Sequence, residues 1–504
     1  MLHSRLFKLA SVAALTASLY GNALAEETAA PIVAATAESV ATTAAPGSTP
    51  VQKVKTPEQL ATEQAAEDAA RLEQERQLAL QKQAQAEADL VAQVGEINLQ
   101  FKGIVAKIYA DNNFQPIWNN AQAKSEFLQQ YAAMIAAGIA KRSVQELKAI
   151  DETPEGLTQD VLLTDAFLDY LYYANNIRRS AQKWLYATNA YRASAPAEGQ
   201  VEAWLNAVKE GQDLAFIEKL ETSNTDYRRT LKRLVANVSA AKINKAESQK
   251  LAVNAQRLRI LPEFHNGIFV NIPSYQLQYY RDGELALTSR VIVGKDARRT
   301  PVMSSKLSNV VVNPPWNAPP RLINEDIIPK VRKDPSYIYR NGYSIIDSKG
   351  NIIDPYTIDW ENMSSKKFPY RLRQAPGDSA LGNFKFNMPS TDAIYLHDTP
   401  NRGLFGNAKR ALSSGCVRVE KSDQLASILL KEAGWSSEKK SSVLASKKTT
   451  SVNVKSDNPV YLYYVTLWAD SKGALRSLPD IYGYDSAFNG SNVDWNLINK
   501  YLHK

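Results

Sequence analysis

A chain of 504 residues is long enough for two or three domains. Its formal charge of +8 is modest for that length, and its basic residues are scattered. That argues against a nucleic-acid partner and is compatible with work beside an anionic polymer. A single cysteine, Cys416, excludes any intramolecular disulfide.

The first 25 residues read as a secretory signal peptide. Arg5 and Lys8 precede an apolar and small-residue run from Leu9 to about Tyr20. Ala23-Leu24-Ala25 then supplies the small-x-small pattern cleaved before Glu26. An uncleaved anchor is the alternative, but the run falls short of the ~20 apolar residues that span a bilayer, as does every later stretch. The chain is therefore expected to be exported, with no stable membrane span. Outside the cytoplasm a lone thiol is a liability unless it is buried and inert or retained for its chemistry.

Residues 26–56 are rich in Ala, Thr, Pro and Val, a composition that buries no core, and read as a disordered tether. Residues 57–94 are rich in Ala, Gln and Glu and predict a long solvated helix, with no clean heptad among Leu60, Leu72, Leu78, Leu80 and Leu90. The region 95–261 is expected to be a mostly helical scaffold. Leu163, Phe167, Tyr170 and Leu171 follow the spacing of one buried helix face, and Tyr227, Leu231, Leu234 and Val238 that of another. The aromatics Tyr170, Tyr172, Tyr173, Trp184 and Tyr186 fit a core better than a sugar-stacking platform. After Pro262 the texture turns to strands: Gly267 to Ile272, Tyr275 to Tyr280, Leu285 to Gly294 after a turn at Arg281-Asp282-Gly283-Glu284, Val310 to Val312, Asp392 to His397 and Val460 to Trp468. The β-rich domain spans 262–485. A loop-rich insertion at about 320–374 has the length of a lid or binding loop. Residues 486–504 are read as a C-terminal tail.

The chemistry is carried by Ile394-Tyr395-Leu396-His397-Asp398-Thr399-Pro400 and Leu412-Ser413-Ser414-Gly415-Cys416-Val417-Arg418-Val419-Glu420. A thiol attacks well as thiolate, so it needs a base or a positive field nearby. His3 leaves with the signal and His503 sits at the C-terminus, so only His265 and His397 can serve. His397 ends a predicted strand beside the cysteine segment. Gly415 permits a tight turn that aims main-chain N–H groups at the space in front of the sulfur, as an oxyanion hole requires. By itself one Cys and one His nineteen residues apart (416 − 397) is a weak signal.

Together these residues resemble the signature of the L,D-transpeptidases, whose catalytic domain is the YkuD domain. The family's histidine falls on His397, its serine on Ser413, its glycine on Gly415, its nucleophile on Cys416 and its following arginine on Arg418. Ser414 stands where most members carry a second histidine. The large lid-bearing Gram-negative branch, the YcbB-like enzymes, also carries Ser-Ser-Gly-Cys-Val-Arg-Val-Glu. Further likeness lies in Val291-Ile292-Val293-Gly294 with Thr300-Pro301, in Asn313-Pro314-Pro315-Trp316-Asn317-Ala318-Pro319 leading into the lid, and in Leu372 to Gly377 and Leu381 to Phe386 at its return. Asp480-Ile481-Tyr482-Gly483 matches the domain's end, and Asn113-Phe114-Gln115-Pro116-Ile117-Trp118 resembles the family's scaffold more weakly. The Asp-Gly and Gly-Pro-x-Thr pattern of a peptidoglycan-binding module is not seen.

The resemblance implies an α+β architecture: a helical scaffold plus a β-sandwich catalytic domain with an inserted lid. It implies acyl transfer in the periplasm on peptidoglycan tetrapeptide stems containing meso-diaminopimelate, as donor and as acceptor, with no cofactor or metal. Carbapenems are the expected covalent inhibitors. Cys416 would be nucleophile and His397 base, with the N–H groups of Gly415 and Cys416 on the oxyanion. Arg418 either holds a substrate carboxylate or pairs with Glu420. Tyr395 shares a face with His397 if the strand alternates, and lines the acyl site or the core. Ser413 and Ser414 would border the substrate. Lipoprotein attachment, D-amino acid exchange, hydrolysis of the thioester and a non-catalytic scaffold remain open. A papain-like peptidase fits poorly, since no tryptophan follows the cysteine and the histidine precedes it.

Overall fold

The computed structural model describes residues 57–187, 191–454, 457–488 and 493–503. The expected signal peptide and tether lie outside the described residues. The chain divides into two units, Met1–Gln74 and Glu75–Lys504, and the helical scaffold, the sheet and the site all belong to the second.

A helix spans Pro57–Val94. Its Leu78 and Leu80 are exposed, while Ala86 and Leu90 are buried. Beyond it the chain is helical to Arg259. Asparagines start three of these helices: Asn120, Asn224 and Asn244 each accept a bond from a first-turn N–H that has no partner inside the helix. The longest helix after the first, Leu157–Trp184, buries Leu163, Phe167, Tyr170 and Leu171 on one face. Tyr170, Tyr173, Trp184 and Tyr186 are core residues, and Tyr172 packs at the core's margin.

The segment 486–504, expected as a tail, carries a helix Trp495–Leu502 capped by Asp494. Trp495, Ile498, Tyr501 and Leu502 are buried, because their spacing forms one apolar helix face. Gln129 of the scaffold donates to Leu502 O at 3.1 Å.

The β-rich C-terminal half is a curled sheet. One hydrogen-bonded path runs from Thr450–Asn453 through Asn309–Val312, Phe384–Asn387, Leu396–His397, Val417–Val419, Glu284–Gly294, Gln276–Arg281 and Gly267–Asn271 to Pro459–Tyr463 and Met303–Lys306. Glu284–Gly294 belongs to both halves of the path: its start pairs with Gln276–Arg281 and its end with Val417–Val419. Scaffold and sheet share one apolar core, and Gln182 of the long helix donates to Val302 O at 2.8 Å.

The insertion differs from the loop-rich segment expected. Trp316–Asn317, Arg371–Gln374, Tyr343–Ile346 and Ile352–Ile353 form a separate four-stranded sheet. It has its own core, built from Ile323, Ile327, Ile328, Val331, Ile338, Ile345, Trp360 and Leu372. Dense Lys, Arg and Pro residues interrupt that apolar spacing in the sequence and disguise it. Pairing of Trp316 with Gln374 closes the neck of this subdomain.

Candidate active site

Three short strands set the site. Leu396–His397 lies antiparallel to Phe384–Asn387 and parallel to Val417–Val419, with Lys385 opposite His397 and His397 opposite Arg418. Residues opposite one another share a face of the sheet, so Lys385, His397 and Arg418 stand in one row. Just before the strands of His397 and Arg418, Tyr395 and Cys416 border the same cleft. Phe386, Leu396 and Val417 point the other way and are buried. The five side chains border a cleft of ≈ 630 Å³, together with Arg298, Ser413 and Ser414 and with Trp316, Arg321, Tyr337 and Tyr343 from the neck and body of the insertion.

The turn bearing Cys416 is held by hydroxyls. Gly415 has φ of +124°, a conformation that a side chain would strain. Thr300 Oγ1 donates to Gly415 O at 2.7 Å. Ser413 Oγ donates to Cys416 O at 2.6 Å and accepts the Gly415 N–H at 3.1 Å. The Gly415 N–H, expected to face the cleft beside that of Cys416, is thus engaged by Ser413 instead. Ser413 is buried and shapes the turn, whereas Ser414 is exposed at the cleft and accepts from Arg298 Nη1 at 2.9 Å.

His397 is buried and its Nδ1 lies 2.5 Å from Asp398 O. A carbonyl only accepts, so Nδ1 carries the proton and Nε2 keeps its lone pair. Burial, then the Arg418 charge, with a smaller push from Lys385, lowers the imidazole pKa to about 3. Asp398 is itself fixed: Arg402 and Ser422 donate to Oδ1 at 2.9 and 2.8 Å, and the Asn383 N–H to Oδ2 at 2.9 Å. A Cβ at Gly382 would stand 2.4 Å from that carboxylate, so the site needs a glycine there.

Burial pushes the Cys416 thiol above its ordinary pKa; the Tyr395 N–H and side chain and the charges of Lys385 and Arg418 pull it back in part. The sulfur sits 3.9 Å from Ala393 O. Both shifts thus run toward the uncharged forms of thiol and imidazole.

Two cations in the cleft have no acidic partner among the described residues. The Arg418 side chain makes no hydrogen bond to them, and its Nε is buried without one. Glu420, its alternative partner, is instead engaged by Arg290, with Nε to Oε2 at 2.9 Å. Lys385 is half-buried with Nζ 4.2 Å from the Tyr395 ring centre. The Tyr395 ring lies 5.7 Å from that of His397. His265 is exposed on a distant turn, outside the cleft. Lys385 and Arg298 were missed by sequence reasoning. The alternation Phe384-Lys385-Phe386 places Lys385 opposite two buried rings, but only the pairing with His397 gives it a role.

Of the insertion's aromatics, Tyr337 and Tyr343 reach the cleft. Tyr339 is exposed, and Trp360 is buried with Nε1 donating to Pro355 O at 2.6 Å, so it offers no stacking surface.

Residues 265–454 match the L,D-transpeptidase catalytic domain, YkuD, and residues 103–234 match the Scaffold domain. A Haemophilus influenzae protein named "Putative L,D-transpeptidase" is 56% identical over 445 residues, covering 88% of this chain and 90% of that protein. A solved structure titled "Structure of the Ldtfm-avibactam carbamoyl enzyme" covers 41% of this chain and 50% of its own at 12% identity and a TM-score of 0.20, a likeness that adds nothing to the assignment. With one relative matched over nearly its whole length and both domains recognised in order, this chain belongs to the L,D-transpeptidase family.

Proposed function

We propose that the protein is a periplasmic peptidoglycan acyltransferase that forms 3→3 cross-links through a thioester on Cys416. The observation that carries this reading is the fixed tautomer of His397: its Nδ1–H is held by Asp398 O, so a neutral Nε2 remains as acceptor in the cleft that Cys416 also lines. As the sulfur attacks the amide between the L-centre of meso-diaminopimelate and the terminal D-Ala of a tetrapeptide stem, the thiol proton passes to Nε2. The carbonyl oxygen becomes an oxyanion facing the Cys416 N–H. When the intermediate collapses the C–N bond breaks, Nε2 returns the proton to the amine, and D-Ala leaves.

The side-chain amine of a second diaminopimelate then attacks the thioester. Nε2 takes its proton, the C–S bond breaks, and the thiolate is reprotonated. Arg418 offers a bidentate fork to a stem carboxylate. The insertion, with Tyr337 and Tyr343 over the cleft, limits access of water to the thioester and favours aminolysis. A carbapenem offers a strained amide to the same sulfur.

The test is incubation of the purified protein with disaccharide tetrapeptides and product analysis by mass. The expected result is a 3→3 dimer with released D-Ala, one carbapenem adduct at Cys416, and neither from a folded Cys416→Ala variant. Dimer from that variant would overturn the reading. Attachment of a lipoprotein, or tripeptide in place of dimer, would redirect the second half of the reaction.

A further inference from the structure

Arg298 is buried, yet it sits where three segments of the catalytic unit meet. Its Nη1 donates to Ser414 Oγ at 2.9 Å, two residues before Cys416. The same guanidinium donates to Asp326 Oδ2 and Oδ1 at 2.5 and 2.8 Å and to Glu325 Oε2 at 2.6 Å. Both acids belong to Ile323–Ile327, on the first helical stretch of the insertion. Two residues along, Thr300 donates to Gly415 O at 2.7 Å and accepts the Gly294 N–H at 2.8 Å. A Cβ at Gly294 would stand 2.1 Å from Arg298 O, so this segment is pressed against the sheet.

Ser414 occupies the position where the family more often has histidine, and its hydroxyl is an acceptor that a planar fork reaches while holding two carboxylates. Arg321 also reaches Glu325, at 2.9 Å, but makes no described contact with the nucleophile turn. Among the described residues Arg298 is thus the side chain bridging insertion and turn.

We propose that Arg298 is a positioning residue that couples the seating of the insertion to the geometry of the turn bearing Cys416. Although it borders the cleft, it makes no described contact with the sulfur; it acts through Ser414 on one side and through Asp326 and Glu325 on the other. A cleft closed by the insertion is thereby registered with an ordered nucleophile, and release of either arm loosens both. A guanidinium is required, because four bonds leave two nitrogens held apart in one plane, whereas an ammonium offers three donors on a single atom. The inference rests on the reading of Cys416 as the nucleophile, but its test needs no turnover.

The test uses the full-length protein and the alkylation of its one thiol by iodoacetamide across pH, reading the alkaline plateau after allowing for the roughly threefold change in thiolate nucleophilicity that each unit of thiol pKa, read from the same profile, brings. Hydrogen exchange of residues 320–331 is followed in parallel. Glu325→Gln with Asp326→Asn should raise the plateau roughly two- to tenfold, within the range of couplings between residues sharing one network, and should speed exchange in 320–331. Ser414→Ala should also speed exchange there, although Ser414 lies outside the insertion. In an Arg298→Met background neither change should have a further effect. Arg298→Lys keeps the charge and guards against misfolding; it should behave as Arg298→Met does.

An unchanged plateau in the acid double variant, additive effects in the Arg298→Met background, or full rescue by lysine would each overturn the coupling. If the wild-type protein makes no cross-linked product while the coupling is measured, the proposed reaction falls and the role of Arg298 stands.

Discussion

The carboxylates of the scaffold and the cations of the cleft are both buried, and they are treated in opposite ways. In the scaffold, Asp160 accepts from Tyr109 OH and the N–H groups of Ile117 and Trp118 at 2.5, 2.8 and 3.0 Å. Asp165 accepts the N–H groups of Gln100 and Phe101, and Asp169 accepts Ser143, Tyr131 and Tyr191 hydroxyls at 2.7, 3.0 and 2.5 Å. Every oxygen of these carboxylates has a donor, which is the condition for burying a polar group without large cost. In the cleft, Arg418 and Lys385 are drawn out of water with no acid to meet them. A satisfied buried charge fixes a fold, whereas an unsatisfied one is set for a partner that arrives.

The largest expected effect lies in the cleft. His397→Ala should lower the rate of Cys416 acylation by a carbapenem by about 10²–10⁴-fold, the usual worth of a positioned base, with the fold kept. Acylation at the wild-type rate would show that another group takes the proton. Arg418→Met comes next. Loss of one charged hydrogen-bonding group should cut kcat/KM for tetrapeptide stems about 10- to 100-fold, while thermal stability stays level or rises because a buried unpaired cation is gone. A sharp fall in melting temperature instead would make Arg418 structural and break the comparison.

Asp169→Ala should do the reverse. Ser143 loses its acceptor, Tyr191 keeps only the main-chain O of residue 169 at 3.2 Å and Tyr131 falls back on Glu146 Oε2 at 2.6 Å, so the variant should be less stable by roughly 3–5 kcal/mol, as when one member of a buried charged network is removed. Well below its melting point its acylation rate should match wild type. Slower acylation in a folded Asp169→Ala protein would mean that the scaffold acts on the chemistry.

The site was legible where its parts lie close in the chain. Cys416, His397, Ser413 and Gly415 fall in two short segments, and Gly415 shows its positive φ by being glycine. The helical half was legible through its apolar spacing. What stayed hidden depended on pairings across long stretches of chain: Lys385 beside His397, and Arg298 between Ser414 and Asp326. The expected strand Asp392 to His397 is regular only at Leu396–His397. Ala393 has φ of +53°, and Ser390 Oγ accepts the Asp392 and Ile394 N–H groups at 3.1 and 3.4 Å, so the chain bends around the sulfur instead of extending. Local side-chain bonds of this kind compete with strand pairing.

The smallest expected effect is a flat line, and it separates two states of the same pair. With His397 at about 3 and the Cys416 thiol above its ordinary value, both groups are neutral from pH 5 to 8. Acylation by a β-lactam whose own groups do not titrate there should then be independent of pH across that window and rise only as the thiol ionises on the alkaline side. A thiolate–imidazolium pair would give a limb within the window as the imidazolium titrates, and that limb would remove the neutral-pair description. The same imidazole bears on stability. Its folded pKa lies below the unfolded value of ~6.5, so between the two values the unfolded chain binds the extra proton and stability increases with pH. That contribution is full above ~6.5 and is lost as the pH falls from there through about 3. His397→Gln should remove this part of the acid sensitivity. Denaturant titrations at pH 4 and pH 7 would therefore show a smaller pH difference in the variant than in the wild type, and an equal difference would place the imidazole in water rather than in the buried row between Lys385 and Arg418.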